Sequence, residues 1–133
     1  MVQIEFNANI ASSIKNQAQQ LTCLLGSKQL LLVNVATNTT LAQVPGVYII
    51  LTSLDSQIVY AGKTNAQNYI SRRMKDHRNG NSGSDLPIMI RKYPDLPQDV
   101  TEYDIKFIEI QDLRERCFFE QFVIGVLKPK LNG

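Results

Sequence analysis

The sequence predicts an α+β fold, because strand-like and helix-like patterns occur together along one chain. Two runs rich in Val, Ile and Tyr, at 46–53 and 57–63, flank a short polar segment at 54–56, which is typical of a β-hairpin. A third run with strong β propensity lies at 103–110. Helix-like runs precede, separate and follow these strands, so helices are available to cover them.

The length and composition are ordinary for one soluble domain. A chain of 133 residues with 44% hydrophobic and 20% charged residues can bury one real core. No apolar run approaches the roughly 18 residues of a membrane span, and no basic-then-apolar leader follows Met1, so a cytoplasmic location without a membrane partner is expected. Cys23 and Cys117 lie far apart and the chain has one His, which argues against a zinc site.

The N-terminal part predicts a helix ahead of the strands. Apolar residues from 9 to 25 recur at steps of three and four on one stripe, and Gly26 follows as a stop signal. This stripe packs either on the core or on a partner subunit. Before it, residues 1–6 predict a strand or an arm. After it, 30–35 predict a strand or a buried linker, and 37–40 predict a turn.

The predicted hairpin carries one tyrosine on each strand, close to a glycine. Tyr48 follows Gly46 by two residues, and Tyr60 precedes Gly62 by two residues. Side chains alternate between the two faces of a strand. A suitable register would therefore place both hydroxyl groups on the same side of the sheet.

The stretch after the hairpin is basic. From residue 63 to residue 78 it holds five bases against one acid, which is the expected footprint of phosphate binding. A charged run is also the ordinary face that a helix turns to solvent, and this interpretation stays open. The five bases are Lys63, Arg72, Arg73, Lys75 and Arg78.

A helix is predicted over 65–78, ended by a Gly/Ser/Asn cluster at 80–84, and a second short helix over 85–93. Arg73 and His77 lie four residues apart and share a face. Arg73 adjoins the inward stripe and can reach the sheet, where a guanidinium can hold a phosphate through two hydrogen bonds. Taken alone, such a pair is more often a surface pair than a catalytic one.

The last helix is predicted over 113–128, with Asp112 as its N-cap. Most positions from 117 to 127 are apolar, so this helix is predicted to be largely buried. Glu120 lies within the apolar run, where a carboxylate is costly without a partner. Its partner is either Arg116, in an ordinary helical ion pair, or a divalent cation at the rim of a cleft.

Taken together, these residues resemble the GIY-YIG nuclease superfamily. The motifs that carry the resemblance, in order, are Gly46-Val47-Tyr48, Tyr60-Ala61-Gly62, Arg73 with His77, Glu120 and Asn132. The spacing is similar as well, with four residues from Arg73 to His77 and twelve from Glu120 to Asn132. The resemblance covers 45–132. The departures are Val47 and Ala61, which keep small-to-medium apolar side chains.

The resemblance implies a three-stranded antiparallel sheet flanked by helices, an α+β sandwich, over 45–133. Residues 1–44 lie outside the resemblance and are expected to form a helical extension packed on this core. It implies that the protein is an endonuclease that hydrolyses DNA one strand at a time with one divalent cation, Mg²⁺ or Mn²⁺. The alternative is a catalytically inactive nucleic-acid-binding module of the same fold. The implied partner is DNA. The chain is either a monomer or a homodimer, and an accessory recognition protein is compatible with its small size.

The resemblance also implies a role for each residue of the site. Glu120 would be the metal ligand, and Arg73 would bind and neutralise the scissile phosphate. Tyr48 and Tyr60 would position or deprotonate the attacking water, and the resemblance does not settle which of them is the base. Lys63, Arg73 and the cation would favour the phenolate form and lower the tyrosine pKa.

The remaining residues would have auxiliary roles. Lys63 and His77 would hold the tyrosine or phosphate network, and Asn132 would fix the C-terminal end. The nucleic acid would be contacted by five bases, Lys63, Arg72, Arg73, Lys75 and Arg78. A structural protein, with both tyrosines in a core and Glu120 paired to Arg116, is the other class that the residues allow.

Overall fold

The computed structural model describes residues 2–37, 40, 42–80 and 85–133, with side chains from residue 10 onward. The helices in these ranges are α1 (Val2–Leu25), α2 (Leu32–Thr37), α3 (Ile70–Asn79), α4 (Leu86–Ile90) and α5 (Leu113–Leu127). The strands are β1 (Leu30–Leu31), β2 (Gly46–Thr52), β3 (Ile58–Lys63) and β4 (Tyr103–Glu109). Short 3₁₀ turns lie at Val100–Glu102 and Lys130–Asn132.

The strands form one antiparallel sheet in the order β1-β4-β2-β3. Every residue of the central strand β2 is buried, which explains its almost continuous apolar sequence. The α+β class and the antiparallel sheet flanked by helices are confirmed, but the sheet has four strands instead of three. The additional strand, β1, pairs Leu30 with Ile105 and is only two residues long. The strand or buried linker predicted for 30–35 is therefore wrong from residue 32 onward, where α2 begins.

The sheet separates two apolar layers. On one face, Tyr48 and Ile50 of β2 pack with residues of α2, α3 and α4. On the other face, Val47 and Ile49 pack with residues of α1 and α5. This division follows the two-residue period of a strand. β3 lies at an edge of the sheet, where side chains from both layers can approach each other.

The first helix is longer than the sequence predicted. α1 begins at Val2, so the strand or arm predicted for residues 1–6 is wrong from residue 2 onward. Its stripe reaches the core only near its C-terminal end, where Leu21 and Leu24 are buried, while Ile10 and Ile14 are exposed. None of the described helices has the length and apolar character that a membrane span requires.

α3 begins at Ile70, five residues later than predicted. Arg116 of α5 donates hydrogen bonds to the carbonyl oxygens of Thr64 and Asn65, which a helix starting at residue 65 would need for its first turn. Arg116 thus ties the segment before α3 to α5, and the Ile70 N–H donates to the Val44 carbonyl oxygen instead of to a preceding helical turn. Residues 81–84 of the predicted terminating cluster, and residues 38 and 39 of the predicted turn, lie outside the described residues.

α5 has the predicted bounds to within one residue, but it is not largely buried. Phe119 and Val123 are buried against the sheet, whereas Phe118 and Val126 are 59% and 54% exposed. A helix packed on one face of a sheet buries only one stripe of its surface. The apolar residues of α5 extend beyond that stripe, so some of them remain exposed.

Candidate active site

The strand register brings the two tyrosines together on one face of the sheet. Tyr48 lies opposite Gly62, and Tyr60 lies opposite Ile50, so the tyrosines are diagonal neighbours on adjacent strands. Their ring centroids are 6.2 Å apart. Tyr48 is fully buried and Tyr60 is half-buried. The register is therefore the one that places both tyrosines on the same side of the sheet.

Steric contacts explain why a glycine lies near each tyrosine. A Cβ atom at Gly62 would lie 2.5 Å from the Tyr48 hydroxyl oxygen, so the Tyr48 ring can occupy its position only above a glycine. A Cβ atom at Gly46 would lie 2.0 Å from the Ile108 carbonyl oxygen on β4. The two glycines of the motifs thus permit the close approach of the ring and of the neighbouring strand.

His77 lies behind the tyrosines in the core. It is fully buried, and its Nδ1 accepts a hydrogen bond from the Leu86 backbone N–H at 2.9 Å. Burial, assisted by the charge of Arg73, lowers the pKa of His77 to about 3, so the ring is neutral at neutral pH. The proton of the neutral ring therefore lies on Nε2, which donates to the Tyr48 hydroxyl oxygen at 2.9 Å. His77 orients Tyr48 and is not a surface residue.

Arg73 is held by a carboxylate that the sequence analysis missed. Its Nη1 lies 2.8 Å from Oδ1 of Asp85, whose side chain is fully buried at the N-terminus of α4. The only local signal was an Asp at a helix N-cap position, which suggests capping, because nothing in the local pattern points to a base twelve residues away. The contact fixes the guanidinium beside the tyrosines.

Burial has the larger effect on the tyrosine hydroxyls. It raises the pKa of Tyr48 far above its ordinary value, and the neighbouring Tyr60 raises it further, while the charge of Arg73 acts in the lowering direction. Burial likewise raises the pKa of Tyr60 against the lowering effect of Arg73. Arg73 acts in the direction expected from the sequence, and burial acts against it.

These side chains open onto a small polar cavity, which we call the tyrosine cavity. Its volume is about 330 Å³. It is lined by Tyr48, Tyr60, Lys63, Asn65, Asn68, Arg73, Asp76 and Glu120. Five of the seven site residues named from the sequence thus share one cavity, whereas His77 and Asn132 do not line it. Asn65, Asn68 and Asp76 were not identified from the sequence, because each occurs in a polar stretch without a motif.

Asn132 is attached to the edge strand from outside the sheet. Its Oδ1 accepts from the Ala61 N–H at 2.7 Å, and its Nδ2 donates to the Ala61 carbonyl oxygen at 2.9 Å. The amide side chain thereby satisfies both backbone groups of one β3 residue, as a further strand would. This contact fastens the C-terminal turn beside Tyr60.

Glu120 is half-buried at the wall of the tyrosine cavity. The desolvation that accompanies this burial raises the pKa of Glu120, and the charge of Lys63 acts to lower it. Among the described residues, no base lies within 4.0 Å of its carboxylate, and Arg116 bonds elsewhere, so the ion pair considered between Arg116 and Glu120 is not formed. Its Oε1 accepts a hydrogen bond from the Gln121 side chain at 3.3 Å.

The donor set fits a hydrated hard cation. No group of three or more His, Cys, Asp or Glu side chains that could hold a metal is found in the described part of the chain. The carboxylate of Glu120 in this polar cavity, with Asp76 also in its lining, matches Mg²⁺, which prefers oxygen ligands and keeps several waters. A zinc-type site would need more protein ligands than this cavity supplies.

The basic residues of α3 divide between two surfaces. Arg72 and Lys75 are exposed and border a depression that shares Asp76 with the tyrosine cavity. Arg78 instead lines a separate depression with residues such as Pro87 and Glu102. The five bases predicted from the sequence as one phosphate-binding group therefore do not form one continuous patch.

The comparisons with known proteins agree with this geometry. The chain matches the GIY-YIG catalytic domain over residues 44–132. A comparison with curated proteins finds no match. The chain is similar to the solved GIY-YIG N-terminal endonuclease domain of UvrC from Thermotoga maritima bound to its catalytic divalent cation, magnesium, with 23% identity over 75% of this chain and 97% of that chain and a TM-score of 0.51.

Point-mutant forms of the same Thermotoga maritima domain, also bound to the catalytic divalent cation, are similar to this chain. One has 22% identity over 74% of this chain and 93% of that chain, with a TM-score of 0.49. Another has 23% identity over 75% and 96%, with a TM-score of 0.49. The likeness to the magnesium-bound form shows a shared fold, and the match over 44–132 shows the family.

Proposed function

The chain belongs to the GIY-YIG family, and from this premise we propose that it is a divalent-metal-dependent endonuclease that hydrolyses phosphodiester bonds in DNA. The observation that carries the proposal is the tyrosine cavity, where two tyrosines, two bases and two carboxylates, those of Glu120 and Asp76, converge. Hydrolysis of a phosphodiester needs a positioned water, charge neutralisation on the phosphoryl oxygens and help for the leaving oxyanion. The cavity has a group suited to each requirement.

Arg73 is proposed to bind the scissile phosphate. Asp85 fixes the guanidinium through Nη1 at 2.8 Å, which leaves other N–H groups for phosphate oxygens. A donor held in place before the reaction stabilises growing negative charge without reorganisation. Lys63, at the end of β3, adds a second positive charge on the same cavity.

Tyr48 and Tyr60 are proposed to position the attacking water, and one of them accepts its proton. Because the Tyr48 oxygen accepts a hydrogen bond from His77, its own O–H is available to a group on the cavity side. Burial keeps both hydroxyls protonated in the resting protein. Proton transfer to a phenolate therefore depends on the positive charge gathered around it, which includes Arg73 and Lys63.

Glu120 is proposed to hold the divalent cation. The carboxylate is half-buried on a rigid helix and has no basic partner within 4.0 Å among the described residues. When bound, the cation supplies positive charge that neutralises the phosphoryl oxygens and the leaving oxyanion. Asn132 and His77 are proposed to act through the tyrosines, by fixing the edge strand and the Tyr48 hydroxyl.

Nicking of a supercoiled plasmid tests this function. With Mg²⁺ or Mn²⁺ we expect open-circular product, and none with EDTA. Glu120→Gln is expected to bind DNA but to nick at least about tenfold more slowly, about 1.4 kcal/mol of barrier, whereas Glu115→Gln on the exposed first turn of the same helix should nick as the wild type does.

The outcomes separate the alternatives. A wild-type protein that binds DNA but cuts with neither metal would be the inactive nucleic-acid-binding module. A Glu120→Gln variant that nicks at the wild-type rate would remove Glu120 from the metal site. Removing a negative charge does not weaken attraction for phosphates, so a joint loss of binding and cutting would indicate misfolding, which melting curves reveal.

A further inference from the structure

A second polar depression adjoins the tyrosine cavity, and Arg116 lies in its floor. We call it the Arg116 depression; it has a volume of about 500 Å³ and shares Asn68 with the tyrosine cavity. We propose that it binds a phosphate of the DNA strand next to the scissile one. This inference rests on the proposed endonuclease function and assigns where the substrate strand continues beyond the cut.

Arg116 is a buried cation without an anion. It is 3% exposed, and its Nη1 donates to the Thr64 carbonyl and hydroxyl oxygens at 2.8 and 3.0 Å and to the Asn65 carbonyl oxygen at 2.9 Å. Its Nη2 donates to the Gln111 carbonyl oxygen at 3.2 Å. All four acceptors are neutral, and no carboxylate of the described residues lies within 4.0 Å. A buried charge normally has a charged partner, because its desolvation is otherwise uncompensated.

One donor of this guanidinium has no partner. The Nε of Arg116 is buried and makes no hydrogen bond to any described residue. Such groups are rare in folded proteins and call for a specific reason. An anion above Arg116 would supply the missing negative charge, and a small shift of the side chain would give Nε an acceptor.

The rim of the depression has the chemistry of a phosphate site. Four amide side chains surround it, those of Gln43, Gln67, Asn68 and Gln111, and none of the described residues that line it is acidic. Asn, Gln and Tyr side chains are frequent donors to DNA phosphates. Tyr69, 42% exposed on the same rim, adds both a hydroxyl and an aromatic face for a nucleotide.

A purely structural role explains part of these observations. Arg116 links Thr64 and Asn65 at the start of the loop before α3 to Gln111 before α5, and so it stabilises both segments. That role accounts for the four hydrogen bonds. It does not account for a guanidinium, because neutral donors would serve neutral acceptors without burying a charge.

The salt dependence of DNA binding separates the two roles. Binding of a 16-base-pair duplex is measured by anisotropy in EDTA over a series of salt concentrations for the wild type, Arg116→Lys and Arg116→Gln. Both variants lose hydrogen bonds of the guanidinium, but only Arg116→Gln loses the charge. We expect the log–log slope to fall by about one unit in Arg116→Gln and to remain in Arg116→Lys. If both variants fold and both keep the wild-type slope, the proposal is wrong.

If melting curves show that the Arg116 variants are unfolded, a rim variant gives the answer. Gln67 is exposed and makes no hydrogen bond among those described, so Gln67→Glu should fold. An added carboxylate there should weaken duplex binding at least about fivefold at low salt by repelling the phosphate. Gln19→Glu, on the exposed face of α1, is the matched control and should bind as the wild type does.

If Gln67→Glu binds the duplex as tightly as the wild type does, the proposed phosphate subsite is wrong. If the wild type still nicks the plasmid in that case, the endonuclease function stands and only the path of the strand is wrong. If the wild type neither binds duplex DNA nor nicks it, the proposed function fails, and the subsite fails with it.

Discussion

The Arg73 guanidinium is held between the tyrosine cavity and the buried carboxylate of Asp85, with 17% and 0% side-chain exposure for the two partners. Removing one partner of a buried ion pair leaves the other charge without compensation, at a cost of about 3–5 kcal/mol. We therefore expect Arg73→Ala to lower both stability and cutting. Arg73→Lys keeps a positive charge for Asp85 but loses the planar fork, so it should fold and cut at least about tenfold more slowly.

Denaturant unfolding and plasmid nicking measure the two effects separately. Arg91→Ala, at the exposed end of α4, is the control for loss of a base and should leave both quantities unchanged. A stable Arg73→Ala protein would contradict the importance of the contact with Asp85, and wild-type cutting by Arg73→Lys would contradict the phosphate role.

His77 makes a pH-dependent contribution to stability. Its pKa is about 3 in the folded protein against 6.5 for the free group, so between these values the unfolded chain binds a proton that the folded protein does not. The free energy of unfolding must therefore fall as the pH falls from about 6.5 toward 3, by about 1.4 kcal/mol for each pH unit. We expect His77→Gln, whose amide can accept from Leu86 and donate to Tyr48, to show a flatter decline.

The measurement is the free energy of unfolding at pH 7, 5.5 and 4.5 for both proteins. Carboxylates titrate in the same range, and the difference between wild type and variant removes their common contribution. Parallel curves would mean that His77 takes up its proton in the folded protein over the same pH range as in the unfolded chain. A protonated Nδ1 cannot accept from the Leu86 N–H, so the assignment of that hydrogen bond would then be wrong.

Among the elements, the edge strand β3 depends on Asn132. Asn132→Ala removes both hydrogen bonds to Ala61, each worth about 0.5–1.5 kcal/mol net, and frees the strand that carries Tyr60. We expect a lower melting temperature and slower nicking, assayed well below the melting of the variant. Lys130→Ala, which breaks an exposed ion pair with Asp95 in the same C-terminal turn, should change neither. Equal melting of Asn132→Ala and wild type would show that the contact does not hold β3.

The sequence was sufficient for elements with a local pattern and insufficient for contacts between distant segments. The strands that carry Tyr48 and Tyr60 have strong β propensity, and the motif spacing on α3 and α5 brought Arg73 and Glu120 into consideration. The role of Asp85 depends on a contact twelve residues away, which no local pattern encodes. The raising effect of burial on the tyrosine pKa values was not foreseen either, because burial is a property of the assembled fold.

In the whole molecule, three neighbouring depressions form a continuous surface. The tyrosine cavity shares Asn68 with the Arg116 depression and Asp76 with the depression bordered by Arg72 and Lys75. Tyr69 lines both of the outer depressions. With a net charge of only +2, the protein has little general attraction for DNA, so local bases must determine where the duplex lies.

This surface predicts which bases of α3 contact DNA. Arg72→Ala combined with Lys75→Ala should reduce the log–log salt slope of duplex binding by about two units, because each phosphate contact contributes about one. Arg78→Ala is the matched control on the same helix. Its side chain borders the depression near Pro87 and Glu102, which shares no lining residue with the continuous surface, so its slope should remain that of the wild type. If the slope falls in Arg78→Ala and does not fall in the double variant, the duplex lies on the opposite side of α3, away from Arg116.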